Sequence, residues 1–128
     1  MKNKKGFTLV ELLAVIVILA VILAVAVPVV LGVINKSRED ALNSTAGMLA
    51  AGVKNQYMIA QIEGESFPTG TSGSPVSPCP QTAAQYSTSD ITCTYWIDTD
   101  SGLVTVNATS VSGGKYWTGS AVTKTVTR

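Results

Sequence analysis

The sequence predicts an α+β chain in which one long N-terminal helix, over about residues 7–62, packs on a small antiparallel β-sheet of three to four strands. Three observations predict it. The first third of the chain is an almost unbroken apolar run. The next third keeps apolar residues only at spacings of three and four. The last third alternates β-branched and aromatic residues between glycine-rich turns.

Residues 1–6 form a basic head carrying Lys2, Lys4 and Lys5. From Phe7 to Val27 every residue is apolar except Thr8 and Glu11. As a helix that run spans about 31 Å, the thickness of a bilayer core. The lysines in front of it predict a cytoplasmic N-terminus, with the rest of the chain on the far side. Pro28 removes a backbone donor and crowds the preceding turn, and Gly32 follows it. A bend or weakened stretch is expected there, but not a helix end, because Val29, Val30, Leu31, Val33 and Ile34 continue the apolar pattern.

The composition changes at Asn35, where Asn35 to Asp40 make a polar collar. Beyond it Leu42, Ala46, Leu49, Val53, Tyr57 and Ala60 draw the single apolar stripe of an amphipathic helix. The helix is expected to end near Glu63 and Gly64. Residues 64–90, punctuated by Gly64, Pro68, Gly70, Gly73, Pro75, Pro78 and Pro80, read as a loop. The sheet is expected over residues 91–128. Its candidate strands are Ile91–Ile97, Leu103–Thr109, Lys115–Thr118 and Ala121–Val126, with turns at Asp98–Gly102 and Gly113–Gly114. Three parts follow: a leader over 1–6, a hydrophobic helix over 7–34 and a globular body over 35–128.

Composition narrows the function. Nine Lys or Arg stand against eight Asp or Glu, which gives no electrostatic case for a nucleic-acid site. Without the head, six cations face eight anions and the remainder is mildly acidic. The chain has no histidine, no nucleophile elbow and no phosphate loop, so catalysis has no foothold and no cofactor is implied. The two cysteines, Cys79 and Cys93, lie in a Thr-, Ser- and Gly-rich region downstream of an export-like N-terminus. One disulfide outside the cytoplasm is expected. Asp98 and Asp100 with Gly102 resemble half of a calcium loop but lack its distal glutamate, and a plain hairpin turn is the preferred reading. Tyr95–Trp96 and Tyr116–Trp117 are expected to fill a thin core or a subunit contact.

The segment around Gly6 carries the functional signal. In an ordinary secretory signal the cut follows the apolar region. Here the small residue precedes it, so a cut after Gly6 removes the basic head and keeps the helix. Glu11 is then a lone carboxylate near the start of a membrane helix, which costs roughly 2.5–3.5 kcal/mol on insertion scales. It needs a partner, and the cut creates one: a new α-amino group at Phe7.

The run Gly6-Phe-Thr-Leu-Val-Glu-Leu-Leu13, with a short charged leader before it and an apolar run and Pro28 after it, resembles the N-terminus of type IV prepilins and the related pseudopilins. The likeness is close from about Lys5 to Pro28 and runs in outline beyond. It implies that a prepilin peptidase cuts between Gly6 and Phe7 and that Phe7 becomes N-methylated. It implies that Glu11 pairs with the Phe7 amine of an adjacent subunit and that the helix loosens from about Ala20 to Pro28, with Gly32 close by. The implied partners are further copies of the chain in a helical filament, the peptidase and a membrane assembly platform. The implied location is the cytoplasmic membrane for the precursor and the cell surface for the pilus. Two other readings stand beside it: a pseudopilin of a secretion or competence machine, and a monomeric membrane-anchored binding module.

Overall fold

The computed structural model describes Gly6 and residues 8–81 and 86–128. The chain divides into two compact units, Met1–Ile34 and Asn35–Arg128. One helix, α1, runs through Leu9–Glu63. Three strands follow: β1 at Ile91–Ile97, β2 at Val104–Ser110 and β3 at Thr123–Thr127. They form one antiparallel sheet in the order β1-β2-β3.

In the first unit the helix is apolar on every side. Its most apolar stretch has a mean hydropathy of 3.3, and none of that stretch is buried within the chain. Length and composition suffice to cross a membrane. Pro28 and Gly32 both lie inside α1, which continues through them. A helix this apolar all round requires lipid or other helices as its surroundings.

In the second unit the helix has one buried face. All six stripe residues expected from the sequence are buried, joined by Thr45, Gly47 and Ala50. The helix ends as a Schellman motif: Gly64 takes the left-handed conformation with φ of 76°, and the Glu65 N–H donates to the Ala60 carbonyl at 2.8 Å. The inner sheet face supplies Ile91, Cys93, Tyr95 and Ile97 from β1 and Val104, Val106 and Ala108 from β2 to the same core. Between helix and sheet, Phe67 stacks its ring against Tyr57 and Tyr95, with centroids at 6.0 and 6.2 Å. Among the described residues no buried side-chain polar atom lacks a hydrogen-bond partner.

The loop between helix and sheet covers an edge. Ile97 donates its N–H to Thr69, while Val76 and Tyr95 exchange two backbone bonds at 2.7 and 3.0 Å. Cys79 donates its N–H to Cys93 at 3.2 Å, and the two residues form the expected disulfide with a Cα–Cα distance of 5.3 Å. Residues 69–79 thus occupy the free side of β1, where an open strand would template aggregation. A cross-link closing a loop of this size stabilises by about 3 kcal/mol in the chain-entropy account, which matters in a body with so thin a core.

Two expectations are corrected. The second strand is Val104–Ser110 and the last is Thr123–Thr127, each shifted toward the C-terminus. More importantly, Lys115–Thr118 is not a strand. Its backbone is held by local and side-chain bonds: Trp117 N–H donates to Gly114, and Lys115 N–H donates to the Asp90 carboxylate at 2.9 Å. Tyr116 is buried, and its hydroxyl meets Thr45 Oγ1 at 3.1 Å. Thr45 spends its own proton on the Ala41 carbonyl at 2.9 Å, so Tyr116 is the donor in that pair. The residue type that suggested a strand is a plug between loop and helix.

Gly114 makes this possible. A Cβ there would lie 2.8 Å from both Asp90 Cα and Ser89 O, and these are backbone atoms without freedom to move aside. Gly114→Ala is therefore expected to destabilise the body by about 1–3 kcal/mol. Urea unfolding of the full chain in detergent micelles, followed by tyrosine and tryptophan emission, checks this; an unchanged midpoint refutes the close packing.

Candidate functional site

The head of α1 is built by a reciprocal cap. Thr8 precedes the first helical residue, and its Oγ1 accepts the Glu11 N–H at 3.2 Å. In return the Glu11 carboxylate accepts the Thr8 N–H at 3.0 Å. Two N–H groups that an α-helix leaves orphaned at its start are satisfied in this way. The Glu11 charge also sits at the positive end of the helix dipole. Among the described residues no cation pairs with Glu11, and a carboxylate retains acceptor capacity beyond one bond.

The other expected site residues distribute as follows. Gly6 is exposed, with nothing near the place a Cβ would occupy. Phe7, the other side of the expected cut, lies outside the described residues, as do Lys2, Lys4 and Lys5. Pro28 and Gly32 are exposed along the apolar helix. Cys79 and Cys93 are joined and buried in the body. Sequence reasoning missed Thr8 as the partner of Glu11. The signal was present: Thr8-Leu-Val-Glu11 is the threonine-to-glutamate spacing of a capping box.

Asp98 and Asp100 lie in the β1–β2 turn. The Asp98 carboxylate accepts the backbone N–H of Asp100 at 3.0 Å and that of Ser101 at 3.4 Å. The Gly102 N–H closes the turn onto the Asp98 carbonyl, and Gly102 supplies the positive φ of 73° that it needs. The carboxylate of Asp98 thus works as a turn cap. The Asp100 N–H, followed by the Ser101 side chain and N–H, holds its pKa below the ordinary aspartate value. Burial pushes the hydroxyls of Tyr86 and Tyr95 the other way, above the usual tyrosine value. Tyr86 donates to the Cys79 carbonyl at 2.7 Å and Tyr95 to the Pro68 carbonyl at 3.1 Å, tying the loop to the disulfide and the sheet.

A lipid-competent helix that opens on a capped carboxylate, and a one-faced helix packed on a three-stranded antiparallel sheet, define a pilin-like chain. A family profile described as the prokaryotic N-terminal methylation motif matches residues 1–27. The chain is also similar to the major component of the narrow type IV pilus, PilA5, of Thermus thermophilus. The two are 37% identical over 65 residues, 51% of this chain and 53% of the relative. The chain thus spans about half the length of the curated relative it matches. No solved structure matches it. The motif and the relative agree with the pilin-like fold, and the chain is similar to type IV pilins.

The depressed pKa of Asp98 gives a pH dependence with a defined sign. Its stabilising contribution is complete above the unfolded-state pKa and is lost as pH falls through the lower folded value. The β1–β2 turn should therefore loosen only below about pH 4. In an NMR titration the Asp98 carboxyl is expected to titrate below the ordinary aspartate value; an ordinary or raised value refutes the capping role.

Proposed function

We propose that this chain is a structural subunit of a type IV pilus, cut after Gly6, N-methylated at Phe7 and polymerised through its N-terminal helix. The observation that carries the reading is Glu11: a carboxylate at the head of an apolar helix, bonded among the described residues only to Thr8. In lipid that group is expensive to keep without a cation. A neighbour's new amine at Phe7 supplies one of opposite sign. The exposed apolar surface of the helix supports the same reading, since helices packed side by side would cover it. The methylation-motif match over residues 1–27 and the likeness to a pilus component support the processing step.

In this reading the basic head is the peptidase's address and the lysines hold it on the cytoplasmic side. The assembly platform draws the helix out of the membrane, and the stretch from about Ala20 to Pro28, with Gly32, gives way as helices pack. Pro28 contributes by lacking a backbone donor. The body ends up on the filament surface. A pseudopilus in a secretion or competence machine uses the same steps and differs in producing a short fibre. A membrane-anchored binding module remains with the membrane and never enters sheared surface material.

Glu11→Ala is expected to insert and be cleaved like the wild type yet give no filaments, read by electron microscopy of sheared surface material beside immunoblots of the membrane fraction. Normal fibres from that variant sink the pairing. Gly6→Leu is expected to leave the precursor uncut. Mass spectrometry of sheared filaments that begin at an intact Met1 would refute the processing step.

A further inference from the structure

The sheet face turned away from the core is an ordered array. In β1 the outward positions are Thr92, Thr94 and Trp96, and in β3 they are Thr123, Thr125 and Thr127. Strand β2 lies between them with Thr105, Asn107 and Thr109. The register aligns these into three rows. Thr92, Thr109 and Thr123 form one; Thr94, Asn107 and Thr125 the next; Trp96, Thr105 and Thr127 the last. Neighbours in a row are about 4.8 Å apart and rows about 6.7 Å apart by strand geometry.

Between β2 and β3 the hydroxyls are held in place. Thr109 bonds Thr123 at 2.8 Å, Thr105 bonds Thr127 at 2.9 Å, and Thr125 donates to Asn107 Oδ1 at 2.6 Å. Each threonine pair shares one proton and so keeps one further O–H and several lone pairs for an outside partner. Asn107 keeps both amide protons. Side chains fixed in this manner lose little freedom on binding. Trp96 is half-buried at the end of the array, beside a shallow depression formed with Thr69, Gly70, Thr71 and Asp98.

Threonine is a favoured strand former, and scattered threonines need no function. The charge pattern is what distinguishes this face. Ordinary solvent-facing surfaces are about a quarter to a third charged, yet none of the nine outward strand positions carries a charge. The one charged strand residue, Lys124, faces the other way and pairs with Glu39 at 3.7 Å. Nucleic acid and anionic lipid lack the cations they need here. A second protein surface is poorly matched too, since threonine is under-represented among residues that dominate protein–protein affinity. An array of hydroxyl donors and acceptors with methyl groups and one indole matches a surface that is itself uncharged, hydroxyl-rich and faced with C–H groups.

We propose that this face binds an uncharged polysaccharide, with Trp96 against the C–H face of a sugar ring and Asn107 and the threonine pairs exchanging hydrogen bonds with its hydroxyls. The inference rests on the body alone and stands whether or not the chain forms filaments.

The test uses the full chain in detergent micelles, mixed with microcrystalline cellulose or with chitin and pelleted. Saturable depletion of the protein by at least one of them is expected, unchanged when ionic strength is raised about tenfold. Trp96→Ala and Thr125→Lys should each weaken it by about tenfold or more while the melting temperature and the disulfide stay intact. In a Trp117→Phe background, cellohexaose or chitohexaose should shift the emission of Trp96, a readout that needs no disruptive variant. Absence of binding to both solids overturns the proposal. So does binding that both folded variants retain, or that salt abolishes. Sedimentation showing a dimer that Thr125→Lys dissolves, without polysaccharide binding, would instead assign the face to a second copy.

Discussion

One constraint governs this chain: among the described residues nothing covers the helix surface from Leu9 to Ile34. Apolar area left in water is unfavourable by about 25 cal/mol per Å², and nineteen large apolar side chains are exposed along this surface. No adjustment within the chain offsets that. The segment is therefore defined by what surrounds it, lipid or other helices. A single polar group inside such a surface acquires weight that it would not have on a soluble helix. Glu11 is that group, and the cap from Thr8 is the only bond the described chain gives it.

The body solves a different problem, that of closing a thin core with few residues. One helix face and one sheet face meet, and the gap between them is filled by Phe67, Tyr57 and Tyr95. The remaining weak points are the loop and the sheet edge, and the chain settles both with one device. Residues 69–79 pair with β1, and the Cys79–Cys93 bond fastens them there. The hydroxyls of Tyr86 and Tyr95 donate to loop carbonyls at the same place. A Pro- and Gly-rich segment, which cannot form a regular strand, becomes edge cover by being anchored at a few points. The exposed ion pairs, such as Lys36 with Asp40 at 3.6 Å, add little by comparison.

Periodicity made the helix legible in the sequence, because burial on one face of a helix imposes a spacing that chemistry alone does not. Leu42 through Ala60 showed it, and each lies in the core. The strand Ile91–Ile97 was legible to the residue for the same reason, with alternating burial along it. Lys115–Thr118 was misread because β-propensity reports a preference for a pleated, half-buried surface, and a buried loop plug satisfies the same preference. What decided the matter was long-range: Thr45, and Asp90 with the Ser89–Asp90 backbone against Gly114, come from two distant parts of the chain. The edge pairing of residues 69–79 was hidden because its bonds are backbone to backbone and leave no pattern in side chains. The opening motif was legible as a whole, yet its internal bond, Thr8 to Glu11, was read only as an isolated acid needing a cation.

That bond changes how the acid is to be understood. Without the cap, Glu11 would enter a membrane as a bare charge, and the whole penalty would fall on the precursor. With it, one carboxylate oxygen is engaged by the Thr8 N–H and the charge sits where the helix dipole favours it. The residue is thereby tolerable alone but not satisfied, since its remaining lone pairs have no donor among the described residues. Under the proposed function, a group in that intermediate condition suits a subunit that waits in lipid and then commits. Full satisfaction would remove the preference for a neighbour, and complete exposure would oppose insertion. In the proposed filament the incoming amine can add to the free acceptor positions while the cap stays closed, so pairing brings a new charge-assisted bond without first breaking an old one.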